Sequence, residues 1–305
     1  MVGRATISVE IELGWGFHDR SGPESVPELS ENGQKERDAL RWFLDLCDET
    51  ETPVSFDIVG HLLLDSCDGE HPGPHTDGWF DRDPGTDARS DPLFYAPEIA
   101  ELIESTRADH EICTHTFSHV LFDEVSREVI DWELDRVSKL HDCNVTSLVP
   151  PRHRKPPYDV LREHGIDVVR RAFNEDPPIG SVSRFYWTLT RSHRLDEPRT
   201  VDEVTETRVP PLMTLSATYL SRGTSDPHPA YRIFPRRIRQ RQHERFLRSA
   251  LGEAIREDRG VHYWTHLYNI AHPAQRRPIR GLLEAINKTD RLKIRRMSDL
   301  ASGHM

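Results

Sequence analysis

The residues best placed to do chemistry are histidines at a repeated spacing. His115 and His119 stand four apart in the stretch His110 to His119, just after Ile112-Cys113, which reads as the end of a buried strand. If a helix begins there, positions i and i+4 share one face and both imidazoles reach one metal ion. With 17 histidines in 305 residues, roughly one such pair is expected by chance. Three occur: His71/His75, His115/His119 and His262/His266. Prolines and glycines around His71 and His75 forbid a helix, so that pair reads as a solvated loop. His262 and His266 flank Tyr263-Trp264-Thr265, where strand alternation puts them on one face, one at each end. The middle pair alone combines a preceding strand, an expected following helix and a carboxylate partner elsewhere.

That carboxylate comes from the N-terminus. Residues 6–12 alternate, with Ile7, Val9 and Ile11 on one face and Ser8, Glu10 and Glu12 on the other. At about 3.3 Å per residue the two glutamates stand about 6.6 Å apart and point the same way. Like charges side by side are unfavourable unless a cation or an arginine lies between them. A solvated edge strand is the plain alternative. The apolar opposite face and the breaker Gly14-Trp15-Gly16 favour a central strand that opens on a site.

The elements that must position these groups follow a βα rhythm. A helix is expected over 36–47, a strand over 54–59, a helix over 97–105 and a strand over 111–113. A helix over 129–140, a strand over 145–149, a helix over 159–164 and a strand over 166–169 continue it. Between them, 65–92 is rich in Asp, Gly, Pro and His without period, and reads as a lid or a mobile insertion. The pattern weakens from 170 to 234 and returns with a helix over 236–257, a strand over 261–265, a helix over 279–287 and a strand over 292–294. With no repeat and no linker, residues 1–305 read as one α/β domain with a parallel sheet. Glu10/Glu12, His115/His119, Arg152 and His266 then all fall at C-terminal strand ends, where parallel α/β barrels carry their chemistry. Two histidines and one carboxylate make a facial metal set with open positions. A second carboxylate can serve as base and a separate histidine as acid. That inventory specifies metal-assisted hydrolysis.

Composition narrows the partners. The net charge of -11 comes from 51 acidic against 40 basic residues, and lysine occurs only at 35, 139, 155, 288 and 293. Such a balance argues against nucleic acid or an anionic membrane as the main partner. The arginine run from Arg236 to Arg248 reads as the solvated face of a helix, or else as a contact for an anionic sugar or a subunit. Cys47, Cys67, Cys113 and Cys143 are widely spread and suggest neither a zinc ribbon nor a disulfide framework. No signal-peptide core and no membrane-length apolar run is present, so a soluble cytoplasmic protein is expected. The sequence specifies no oligomeric state.

Taken together, Glu10-Ile11-Glu12, His115-Thr116-Phe117-Ser118-His119, Pro151-Arg152 and Trp264-Thr265-His266 resemble, in order and spacing, the polysaccharide deacetylases, the carbohydrate esterase family with the NodB homology domain. Leu13-Gly14-Trp15-Gly16 and Val59-Gly60-His61-Leu62 are similar to a divergent cytoplasmic subgroup. The resemblance implies a distorted (β/α) barrel of about seven parallel strands, over residues 5 to about 300. It implies hydrolytic removal of an N-acyl group, usually acetyl, from an amino sugar or glycan precursor. Carried over residue by residue, Glu12, His115 and His119 would be ligands of a divalent metal, usually zinc. Glu10 would be the general base, Arg152 its orienting cation and His266 the general acid. Trp264 and Tyr158 would line the sugar pocket. His61 and Asn269 are further candidates with no assigned role. Both glutamates stand where most members carry aspartate. That departure keeps two alternatives open: a metal-independent amidase or deformylase of the same fold, and an inactive carbohydrate-binding protein.

Overall fold

The computed structural model describes residues 2–17, 28–140, 145–176, 178 and 180–301; Cys143 lies outside the described residues. The strands are β1 (Gly3–Ile11), β2 (Ser55–Ile58), β3 (Glu111–Thr114), β4 (Ser147–Leu148), β5 (Val168–Ala172), β6 (Arg199–Val201), β7 (Val204–Val209), β8 (Gly260–His266) and β9 (Leu292–Arg295). The helices are α1 (Gln34–Thr50), α2 (Glu98–Glu104), α3 (Arg127–Leu140), α4 (Tyr158–Glu163), α5 (Ser181–Thr190), α6 (Arg236–Glu257), α7 (Leu267–Ile270) and α8 (Pro273–Asn287). The strands form one sheet in the order β6-β7-β5-β4-β3-β2-β1-β8, with β9 pairing on β1. Pairing is parallel throughout except for the β6–β7 hairpin. The sheet curls into an incomplete, distorted (β/α) barrel.

β1 is central, between β2 and β8, which excludes the edge-strand alternative. Its alternation is read by two different environments. Ile7, Val9 and Ile11 enter the main apolar core with Leu40 and Phe43 of α1, Leu247 of α6 and Leu282 of α8. Ser8 and Glu10 are buried on the other face, inside the curl. A polar face survives there because Ser8 and Glu10 both find charged or hydrogen-bonded partners.

Two expectations fail, the helix after His115 and the solvated His71/His75 pair, and two stretches without a strong sequence pattern prove to be structured. The helix expected directly after His115 is absent: the chain makes a turn with Thr116 and His119 at positive φ (64° and 63°), and α3 begins only at Arg127. The 170–234 region is not irregular but holds α5, β6 and β7. The 65–92 stretch has no helix or regular strand, yet it is packed, with Phe80 against the main core. Its histidines are not solvated: the side chains of His71 and His75 are 6% and 4% exposed. The arginine run does lie mostly on the solvated face of α6; Arg239 is the exception, buried and donating to the Tyr219 carbonyl. No described helix is long and apolar enough to cross a membrane.

Candidate active site

Strand register assembles the centre. Glu10 is paired with Asp57 of β2 on one side and with His266 of β8 on the other. Glu12 follows one residue beyond β1, held by the turn Leu13–Phe17, all of whose residues are buried. Gly16 in that turn is required by closeness, because a Cβ there would collide with the Glu12 side chain. β3 delivers His115 at its end, and the left-handed turn swings His119 back beside it, their rings 5.0 Å apart. The Thr116 hydroxyl steadies this turn by accepting from the Val120 N–H at 3.2 Å.

Glu12 Oε1 lies 3.1 Å from His115 Nε2 and 3.2 Å from His119 Nε2. His115 Nδ1 lies 2.7 Å from the Val149 carbonyl oxygen. That carbonyl can only accept, so Nδ1 carries the proton, and in the neutral ring Nε2 presents its lone pair to a carboxylate oxygen. Two lone pairs facing each other across a buried gap repel unless a cation lies between them or the ring is protonated. Fixing the tautomer through the far nitrogen is how proteins orient metal-ligating histidines.

Beside this trio, His266 Nε2 stands 2.9 Å from Glu10 Oε2 and 3.8 Å from Glu12 Oε1. The Arg170 guanidinium is fully buried; it donates to Glu10 and lies 3.4 Å from Asp57 Oδ2. Burial by itself would raise the Glu10 pKa, but His266 and Arg170 overcome it and hold the carboxyl well below the usual range. Glu12 is lowered likewise, burial being outweighed by His266 and by the hydrogen bonds of His115 and His119. The same carboxylates lift the His266 pKa against the pull of burial. Asp57, more dominated by burial and repelled by Glu10, is pushed well up.

Arg170 also donates to Ser8 Oγ at 2.7 Å. Ser8 must then donate onward to His262 Nε2 (2.9 Å), and His262 Nδ1–H to Thr207 Oγ1 (3.0 Å), whose hydroxyl donates to Asp196 Oδ2 (2.5 Å). Every link is buried. The chain runs with one polarity from the guanidinium to a carboxylate on the far side of the curl, and burial beside Arg170 keeps His262 neutral.

The expected residues are not all brought together. Glu10, Glu12, His115, His119 and His266 converge. Arg152 does not take the place foreseen for it: its side chain is exposed, at a positive-φ position (51°), and lines the mouth of the cavity while Arg170 holds Glu10. Tyr158 does not line the pocket either; it is buried in a second apolar cluster with Leu148 and Leu161, its hydroxyl donating to Glu206 at 2.5 Å. Trp264 does form a wall, with its indole donating to the Pro210 carbonyl at 2.8 Å and Arg170 4.8 Å from its ring centroid. Asn269 is buried with its amide on the Met213 sulfur, 3.0 Å away. Arg170, Asp57 and His153 were missed. All three are polar residues in or just after apolar strands, which is itself a signal of a buried partner. The cavity at this centre measures about 230 Å³ and is lined by Glu10, Glu12, His119, His153, Trp264, His266 and Tyr268, among others. A larger cavity of about 620 Å³ shares Met213 with it, but Glu10, Glu12, His119 and His266 line the smaller one.

Two bacterial structures assigned by name to the polysaccharide deacetylases are similar to this chain. One, from Mycobacterium smegmatis, superposes with a TM-score of 0.60 at 13% identity, over 97% of this chain and 88% of that one. The other, from Pseudomonas aeruginosa PAO1, gives 0.58 at 12%, over 99% and 92%. The fold is NodB-like. A PuuE allantoinase shares it, with a TM-score of 0.59 at 12% identity over 99% of this chain and 91% of its own. No family model and no curated protein matches the sequence.

Proposed function

We propose that the chain is a divalent-metal-dependent hydrolase that removes an N-acyl group, acetyl first among them, from an amino sugar or glycan precursor. The observation that carries this reading is the convergence of His115 Nε2 and His119 Nε2 on one Glu12 carboxylate oxygen, with the His115 ring held from behind by the Val149 carbonyl. Glu12, His115 and His119 are the residues that would hold the ion, and a His₂-carboxylate set favours zinc. Such an ion supplies Lewis acidity, polarising an amide carbonyl and making water a nucleophile at neutral pH. Glu10, kept ionised by Arg170, accepts the proton of the attacking water. His266, favoured in its cationic form by both glutamates, donates to the leaving amine nitrogen as the C–N bond breaks. The products are a free amine and a carboxylate. Trp264 offers an apolar wall for a sugar ring, and Arg152 at the mouth can hold a hydroxyl or an anionic group further out. The cavity lies below the range typical of drug-sized ligands, so it suits the acyl group and one ring.

The named deacetylases among the fold neighbours support the amide of an amino sugar. The allantoinase shows that the fold also accommodates other substrates. The deciding experiment measures metal content and acetate release from N-acetylated sugars, for the parent and for Glu12→Ala and His115→Ala. Loss of about one equivalent of metal together with turnover in the two variants is the expected result. Turnover that survives chelation would replace this reading with a metal-independent amidase, and metal binding without turnover on any acylated sugar would leave a carbohydrate-binding protein.

A further inference from the structure

A second group of donors lies beside the turn between His115 and His119 and takes no part in the chemistry above. His61 Nε2 and His71 Nε2 both approach Asp83 Oδ2, at 3.1 and 2.6 Å. Cys67 Sγ lies 3.4 Å from His71 Nε2. One ligand atom from each of the four residues lies within 4.8 Å of every other. With ligand bonds of about 2.0–2.3 Å, the edges of a tetrahedral zinc site span about 3.3–3.8 Å. Donors this close need only small side-chain shifts to surround one ion. Two imidazoles, a thiol and a carboxylate are all donor types that zinc takes.

The surroundings are built for the same purpose. The Gly69 N–H donates to Cys67 Sγ at 3.3 Å. Asp83 Oδ1 accepts from the Tyr95 hydroxyl and from the Gly85 N–H at 3.2 Å, which leaves Oδ2 to face the imidazoles. Such outer bonds orient ligands around an ion. The turns that carry Cys67 and Asp83 pack glycine on glycine: Gly69 and Gly85 both have positive φ (79° and 60°), and a Cβ on Gly69 would lie 3.3 Å from Gly85 Cα. The Asp83 carboxylate and the His61 side chain are fully buried, and that of His71 nearly so.

We infer that His61, Cys67, His71 and Asp83 form a structural metal site, closed and of zinc type, that staples residues 65–92 to the barrel. A packed stretch of this length without helix or strand requires a source of order other than its backbone ladder. A metal clip provides one, because the binding free energy becomes folding free energy. The site also braces the catalytic residues. His61 N–H donates to the Phe117 carbonyl at 2.8 Å and Gly60 N–H to that of Thr116 at 2.9 Å, both inside the turn between His115 and His119. The His61 ring lies 4.3 Å from Trp15, in the turn that holds Glu12. The inference does not depend on the proposed reaction.

Cobalt(II) tests it, because the Glu12 trio contains no sulfur. The apoprotein loaded with cobalt should show a thiolate-to-cobalt charge-transfer band in the near ultraviolet. The band should persist in His115→Ala and disappear in Cys67→Ser. Zinc content should be about two equivalents per chain in the parent and about one in each variant. A parent that is folded by circular dichroism and binds cobalt without the thiolate band overturns the inference, as does a band or zinc content that Cys67→Ser leaves unchanged. If the band and one equivalent are present but His115→Ala removes nothing, the second site stands and the catalytic metal falls. The parent spectrum decides the matter even if Cys67→Ser does not fold.

Discussion

A guanidinium sealed between Glu10 and Asp57 carries more of this site than a surface pair could, because each partner depends on it for compensation. Removing one member of a buried ion pair typically costs about 3–5 kcal/mol, since the charges left behind have no solvent. Arg170→Met is therefore expected to lose that much stability in urea titration, and to abolish turnover. Arg152→Ala should stay within about 0.5 kcal/mol of the parent and raise KM more than it lowers kcat, as befits a residue at the cavity mouth. Equal stability losses in the two variants would refute the assignment of Arg170. The sequence could show Glu10, Glu12, His115, His119 and His266, because short spacings within one strand or one turn carry them. It concealed Arg170 because a charge in an apolar run reads as a strand end: the expected strand stopped at 169, one residue before the arginine that β5 places inside the curl. Asp57, in the middle of β2, carried the same signal. Tyr158 misled for the opposite reason. Its neighbours in the proline-rich stretch suggest a loop, whereas it opens α4 and turns into an apolar cluster.

At the scale of elements, the irregular 65–92 stretch and the catalytic turn are bolted together through α3. Fully buried Glu133 accepts from the Ser118 N–H at 2.7 Å, the Ser118 hydroxyl at 2.5 Å and His75 Nε2 at 2.8 Å, while Trp79 donates to the same hydroxyl at 2.8 Å. Glu133→Ala strands several buried donors, so a loss of about 3 kcal/mol is expected, with faster metal loss on dialysis because Ser118 precedes His119. Glu133→Gln, which keeps an acceptor, should lose less; equal losses would argue against the hydrogen bonds. No local signal announced this packing, since His75 meets its partner 58 residues away. The regular elements were legible because periodicity is local: α6 spans 236–257 as read, and β2, β3 and β9 fall within a residue or two. Across the curl, the hydrogen-bond chain ends on Asp196, whose pKa burial pushes up to about 6 against the donors Thr207 and Arg208 N–H. A folded pKa above the ordinary 3.8 means that the native state holds the proton more tightly. Stability is then lost as pH rises from about 4 to about 6, by on the order of 3 kcal/mol. Asp196→Asn should flatten the stability profile in that window, measured by denaturation at each pH. An unchanged slope would contradict the burial argument.

The whole molecule is a polyanion in which several exposed arginines are paired. Net charge is -11, and exposed arginines already lie against carboxylates, as Arg127 does with Asp159 and Glu163, and Arg154 with Asp123 and Glu124. Salt acts on two opposed quantities. It weakens these contact pairs, each worth about 0–1 kcal/mol. It also weakens the repulsion among the excess acids, which acts over longer distances and is the first to fall within a Debye length of about 10 Å at 0.1 M. Short pairs partly shielded from solvent survive better than long-range repulsion, so the net effect is stabilising. The melting temperature should rise by a few degrees between low salt and about 1 M potassium chloride, whereas the buried Arg170 cluster, screened from ions by the sheet, should contribute little to that slope. Chloride rather than sulfate is the proper probe, because sulfate also strengthens apolar burial by exclusion. A melting temperature that falls with salt would mean that the arginine pairs, not the excess acids, dominate the surface energy.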